Sequence, residues 1–112
     1  MEIVARQVGQ VLVISVEGSI DALTAVDFSD FLAAQLDQGQ TQFVLDLDNV
    51  DFMSSAGLRG ILHLLRGSRR RGGDVCLAAV QPGVRKTLEI AGLWRIVAHY
   101  PGVDEAVASL EA

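Results

Sequence analysis

Two adjacent hydroxyls, Ser54 and Ser55, stand where a strand pattern gives way to a helix pattern. Before them, Gln42 to Asp48 alternates, with Phe43, Leu45 and Leu47 on one face. After them, Leu58, Ile61, Leu62 and Leu65 recur with helical spacing. A serine at such a junction has two uses. Its oxygen caps a helix start by accepting a backbone N–H that has no helical partner. The same helix end also favours an anion, through its free N–H groups and its dipole. A phosphate on Ser55 would add about −1.5 to −2 charge and would change which surface can dock there. Both uses remain open from the residues alone, and Ser54 is a rival to Ser55.

Other candidate chemistry is sparse. There is no G-x-G-x-x-G after a strand, no P-loop, no H-E-x-x-H and no G-x-S-x-G. Gly57-Leu58-Arg59-Gly60 hints at a glycine-rich loop but lacks the lysine and falls inside a helix pattern. Cys76 is the one cysteine, set among Val75, Leu77, Ala78, Ala79 and Val80, so it reads as a core thiol rather than a nucleophile. His63 and His99 are too few to build a zinc site with it. His63 shares a polar helix face with Arg59, Arg66 and Arg70, which makes it a surface residue. No cofactor or metal is expected, and an enzyme is the least supported class.

The elements that must position these residues follow from periodicity. Ile3 to Val8 and Val11 to Glu17 read as a hairpin around Gly9-Gln10. A helix is predicted from Leu23 to Gln38, with Phe28, Phe31, Leu32 and Leu36 as its stripe. The second helix is predicted over Ser55 to Arg71, closed by Gly72-Gly73. Asp74 to Val80 reads as a strand. A helix follows from Pro82, with Val84, Thr87, Leu88 and Ala91 inward, ended by Gly92. A last strand over Arg95 to His99 and a helix over Val103 to Leu110 complete an α/β chain: a mixed sheet of about five strands with about four helices.

At 112 residues the chain fits one domain, and its 50% hydrophobic and 21% charged residues are ordinary for a folded protein. A net charge of −5 opposes binding to nucleic acid or anionic membrane. The basic cluster Arg66, Arg69, Arg70 and Arg71 reads as a solvated helix end. Met1 to Arg6 has no signal-peptide pattern and no apolar run approaches a membrane span, so a cytoplasmic protein, monomeric or weakly dimeric, is expected.

The segment LDLDNVDFMSSAGL, from Leu45 to Leu58, resembles the central motif of the STAS family of anti-sigma factor antagonists. Glu17-Gly18-Ser19-Ile20-Asp21 resembles that family's G-x-(L/I)-D turn, and Ala91-Gly92-Leu93-Trp94-Arg95-Ile96-Val97 its C-terminal signature. The resemblance spans nearly the whole chain in the same element order. It implies a STAS fold and a partner switch. A GHKL-type serine kinase that doubles as an anti-sigma factor is bound by the unphosphorylated form, which frees a sigma factor, and a PP2C-type phosphatase resets the system. In the family motif, D-S-(S/T)-G, the modified serine follows the aspartate; that position here is Ser55. The resemblance places Asp21 beside it, starts the helix at Gly57, and makes Asp21, Ser54, Ser55, Ala56, Gly57 and Arg59 the partner-binding set. The chain departs at one position, where Ser54 replaces the aspartate. A STAS scaffold without the switch, serving a signalling or lipid-transport assembly, is the alternative reading.

Overall fold

The computed structural model describes residues 1–111. Its order is β1 (Glu2–Val8), β2 (Val11–Glu17), α1 (Thr24–Asp37), β3 (Gln42–Asn49), α2 (Ser55–Arg70), β4 (Asp74–Ala78), α3 (Pro82–Ile90), a 3-10 turn (Leu93–Arg95), β5 (Ala98–Tyr100) and α4 (Val103–Glu111). The five strands form one sheet in sequence order. β1 and β2 pair antiparallel across the two-residue turn at Gly9, whose φ of +59° suits glycine. β2, β3, β4 and β5 run parallel.

Parallel neighbours taken in sequence order need crossovers of one hand, which set their helices on one face. The core reflects this. Leu12, Ile14 and Val16 of β2 and Phe43, Leu45 and Leu47 of β3 pack with Phe28 and Leu32 of α1, Ile61, Leu64 and Leu65 of α2, and Val84 and Leu88 of α3. The opposite face carries a smaller cluster in which Val11, Val13, Val44, Cys76 and Ala78 meet Ala106 and Val107 of α4. β2 and β3 are covered on both faces over the length α4 spans, which is why Val13 and Val44 are apolar where simple alternation would allow a polar residue.

Four sequence-based expectations are corrected. β4 stops at Ala78 rather than Val80, because Ala79 turns to a φ of +56° and donates its N–H to Tyr100 O at 3.1 Å. The last strand is shifted: Leu93–Arg95 forms a 3-10 turn after left-handed Gly92, and Ile96 and Val97 donate back to Leu93 O at 3.1 and 3.0 Å. Only from Ala98 does the chain pair with β4. Ala91 is exposed, since α3 ends before its stripe can close another turn. On α2 it is Leu64 that is fully buried, while Leu62 sits half-buried at the edge.

α1 and α2 lie side by side over the sheet, and glycine makes the approach possible. A Cβ on Gly60 would stand 2.5 Å from Ser29 Oγ, and one on Gly67 would stand 2.6 Å from Leu36 Cδ1. The Gly57-to-Gly60 segment is therefore a helix-packing surface, not a ligand loop. Phe28 fills the space between this helix pair and the sheet and is wholly buried. Phe28→Ala should destabilise the fold by about 3–5 kcal/mol, read as a lower urea midpoint in equilibrium unfolding.

Candidate functional site

Ile20 and Met53, on the segments leaving β2 and β3, form a one-residue parallel bridge. Around it the two segments are laced by Gly18 N–H to Asn49 O at 2.9 Å, Ile20 N–H to Phe52 O at 2.9 Å and Ser54 N–H to Ile20 O at 2.8 Å. Ser19 Oγ donates to Asp51 Oδ1 at 2.7 Å, which uses that carboxylate to join the two turns. Ile20 and Met53 are buried, and the start of α2 rests on them. A Cβ on Gly57 would stand 2.8 Å from Ile20 Cγ2 and 3.1 Å from Met53 Cγ. Gly57 thus holds the site residue the sequence placed there, but as a contact: the helix begins at Ser55, two residues earlier than the resemblance implies.

The bridge decides what each serine does. Ser54 is the N-cap of α2, extended at φ −78° and ψ 167°, and its Oγ accepts the Gly57 N–H at 3.2 Å. It is half-buried. Ser55 is the first helical residue and is exposed, and its hydroxyl has no hydrogen bond among the described residues. The cap and the uncommitted hydroxyl therefore belong to different residues.

Asp21 follows Ile20 directly and so lies next to the Met53–Ser54 segment, yet its carboxylate serves its own turn. Oδ1 accepts the N–H groups of Leu23 and Thr24, both at 2.9 Å, while the Asp21 N–H donates to Thr24 Oγ1 at 2.9 Å. This reciprocal arrangement caps the start of α1. The Thr24 N–H, and then that of Leu23, hold the Asp21 carboxyl below the usual aspartate range. Among the described residues no hydrogen bond joins Asp21 to Ser55.

Arg59 stands one helical turn after Ser55 and is exposed. Among the described residues the ion pairs are Arg69–Asp74 and Arg85–Glu89, so Arg59 has no carboxylate partner. It occupies a crest between two shallow grooves. One, of about 300 Å³, lies between α1 and α2 and is lined by Val26, Ala56, Gly60 and His63. The other, of about 230 Å³, runs from Ser55 past Leu58 and Leu62 to Ala91 and Leu93. Leu23 is 84% exposed, and Phe52, three residues before Ser55, is 52% exposed. Apolar side chains around a polar helix tip make a surface suited to docking. Ala91, inward by its spacing, is exposed groove wall, whereas Leu62 is half-buried, packing against the core and lining the same groove.

The remaining candidates settle as structural. Cys76 is buried, its thiol pushed up by burial, against Ser109 Oγ at 3.5 Å. Arg69 reaches Asp74 Oδ1 at 3.1 Å and Ile96 O at 2.8 Å, so part of the basic cluster ties α2 to the end of the sheet. His99 stacks on Trp94 with ring centroids 3.6 Å apart, and the Arg85 guanidinium lies 4.8 Å from the Trp94 ring. Among the described residues no three His, Cys, Asp or Glu side chains gather as a metal site, and no helix is long and apolar enough to cross a membrane.

Ser54→Ala should cost about 1 kcal/mol of stability through the lost cap, while Ser55→Ala should change it by less than about 0.5 kcal/mol; urea midpoints of the two variants separate the roles. Asp21 adds a pH dependence. Its lowered folded value means that its contribution is present above the unfolded aspartate value of about 4 and is lost as pH falls from there through the lower folded value. Asp21→Asn keeps an acceptor without the charge. It should therefore lose less stability than the unaltered chain between pH 6 and 3, measured by denaturant unfolding across that range.

Comparison with known proteins accords with this architecture. The STAS domain model matches residues 2–106. BtrV of Bordetella bronchiseptica, named as an anti-sigma factor antagonist, is 33% identical over 96 residues, covering 86% of this chain and 83% of the relative. An anti-sigma F factor antagonist of Paenibacillus polymyxa is 31% identical over 106 residues, covering 90% of this chain and 87% of the relative. The anti-sigma factor antagonist SpoIIAA in its unphosphorylated form superposes with a TM-score of 0.85 at 21% identity, over 98% of this chain and 96% of that one. Phosphorylated SpoIIAA from Bacillus gives 0.75 at 21% identity, over 96% and 98% of the two chains. The family model covers nearly the whole of this fold, and two relatives exceed 30% identity over most of their own length: the chain belongs to the STAS domain family.

Proposed function

We propose that this chain is an anti-sigma factor antagonist that works as a phospho-switched docking module, with Ser55 as the modified residue. The observation that carries the reading is the division at the start of α2: Ser54 supplies the cap, and the neighbouring Ser55 hydroxyl is exposed and uncommitted. Two relatives above 30% identity bear the antagonist name. SpoIIAA, of the same fold, exists in phosphorylated and unphosphorylated forms, so this architecture accommodates both states.

The replacement of the family aspartate by Ser54 fits the proposal. Aspartate and serine are near-equal N-caps, and Ser54 makes the capping bond. What the exchange removes is one negative charge beside the reacting hydroxyl, which bears on how a kinase recognises the site rather than on the geometry that presents it.

In the proposed cycle a GHKL-type anti-sigma factor kinase transfers the γ-phosphoryl group of ATP to Ser55 Oγ. The P–O bond to ADP breaks as the new one forms, and the hydroxyl proton is released. The surface formed by Asp21, Ser54, Ser55, Ala56 and Arg59, seated on buried Gly57, docks the kinase only while Ser55 is unmodified. Phosphorylation takes the net charge from −5 to about −7 and sets a dianion where a partner must exclude water. Burying that charge without a counter-charge costs more than the contact returns, so the complex dissociates. A PP2C-type phosphatase then hydrolyses the ester with water, returning the hydroxyl and inorganic phosphate. The chain is acted upon and catalyses no step.

The test is incubation with a GHKL-type anti-sigma factor kinase and ATP, followed by mass analysis. One phosphoryl group should appear on the unaltered chain and on Ser54→Ala, and none on Ser55→Ala. Ser55→Ala should remain bound to the kinase in the presence of ATP, and Ser55→Asp should bind at least tenfold more weakly. Modification that persists in Ser55→Ala, or capture of transporter subunits in place of a kinase, sinks the reading.

A further inference from the structure

We infer that Arg59 is the intramolecular counter-charge of phosphorylated Ser55, so that the switch adds an anion and in the same step withdraws a cation from the docking face. The inference rests on Ser55 being the modified residue. Ser55 and Arg59 are both exposed, lie four positions apart within α2, and border the same groove. Residues so spaced are neighbours on a helix, and an anion placed N-terminal to its cation is the favourable order. Helical side chains lean back toward the N-terminus, so a long side chain at position 59 covers the turn that begins at position 55.

Charge supply makes Arg59 the available cation. It has no ion pair among the described residues. The next arginine on the helix, Arg66, is eleven residues from Ser55, a rise of ~16 Å. The nearby carboxylates of Asp21 and Asp51 are engaged by the Leu23 and Thr24 N–H groups and by the Ser19 hydroxyl, and Asp30, which lines the α1–α2 groove together with Arg59, makes no ion pair with it among the described residues. A phosphate is their competitor, not their partner. With Ser55 unmodified, Arg59 stands as the free cation on the crest between the two grooves, where an incoming carboxylate would meet it. After modification the guanidinium has a dianion one turn away, and a charge-assisted pair of this kind is shorter and stronger than a neutral hydrogen bond.

The experiment uses the full chain with phosphoserine installed at position 55 during translation and follows the phosphorus NMR shift against pH. Phosphoserine loses its second proton near pH 6, and a paired cation lowers that midpoint. Arg59→Gln should raise the midpoint by about 0.3 unit or more, and Arg59→Lys, which keeps the charge, should raise it by less than half as much. Arg59 is exposed, so neither variant disturbs the core, and far-UV circular dichroism verifies the fold. A smaller rise in Arg59→Gln, or equal rises in the two variants, overturns the inference. Because no kinase enters this measurement, its failure leaves the phosphorylation test standing, and failure of that test leaves this result intact.

Discussion

A single bridged pair, Ile20 with Met53, sets the geometry on which the rest depends. Both residues are buried, and the first turn of α2 packs on them at a distance that leaves no room for a side chain at Gly57. The bridge passes a hydrogen bond to Ser54, which fixes that residue in the extended conformation an N-cap needs. With Ser54 fixed as the cap, the next residue opens the helix, and here it faces solvent. The exposure of one hydroxyl is thus a consequence of core packing a few residues away.

That origin bears on the proposed switch. A modifiable group on a mobile loop changes the loop when modified. A group on the first turn of a packed helix changes mainly the field and shape of a surface that stays in place. The capping of α1 by Asp21 and the tie between Ser19 and Asp51 stiffen the neighbouring turns in the same way. Partner surfaces of this kind discriminate by charge and fit, with little cost of ordering on docking.

Much of this was legible in the residues, and the boundary of legibility is physical. Strong two-residue and helical periods placed β2, β3, α1 and α2 within a residue or two of their observed ends. The Ser54–Ser55 junction was found because strand and helix patterns meet there. Periodicity reports which side of an element is apolar, but it does not report what covers that side. So the pattern points Ala91 inward though it walls a groove, and it leaves out Leu64, which is buried, while Leu62 packs on the core from the groove's edge. The last strand was misplaced because the apolar run from Leu93 to Val97 carries a local turn whose hydrogen bonds close on Leu93 O, a choice no alternation pattern encodes. The division of labour between the two serines also lay beyond sequence, since it depends on a contact across more than thirty residues. The stripe of Gly57, Gly60 and Gly67 was the one overlooked signal: small residues three and seven apart on a helix mark a close neighbour.

The stacked pair of Trp94 and His99, with Arg85 alongside, has an optical meaning. The chain has one tryptophan, and it lies half-buried at the edge of the main core, stacked on an imidazole. Its emission reports the corner where α3 meets β5, next to the Leu93 groove wall, as well as the integrity of the fold. Fluorescence from this chain is a local gauge, whereas circular dichroism follows the sheet and helices as a whole.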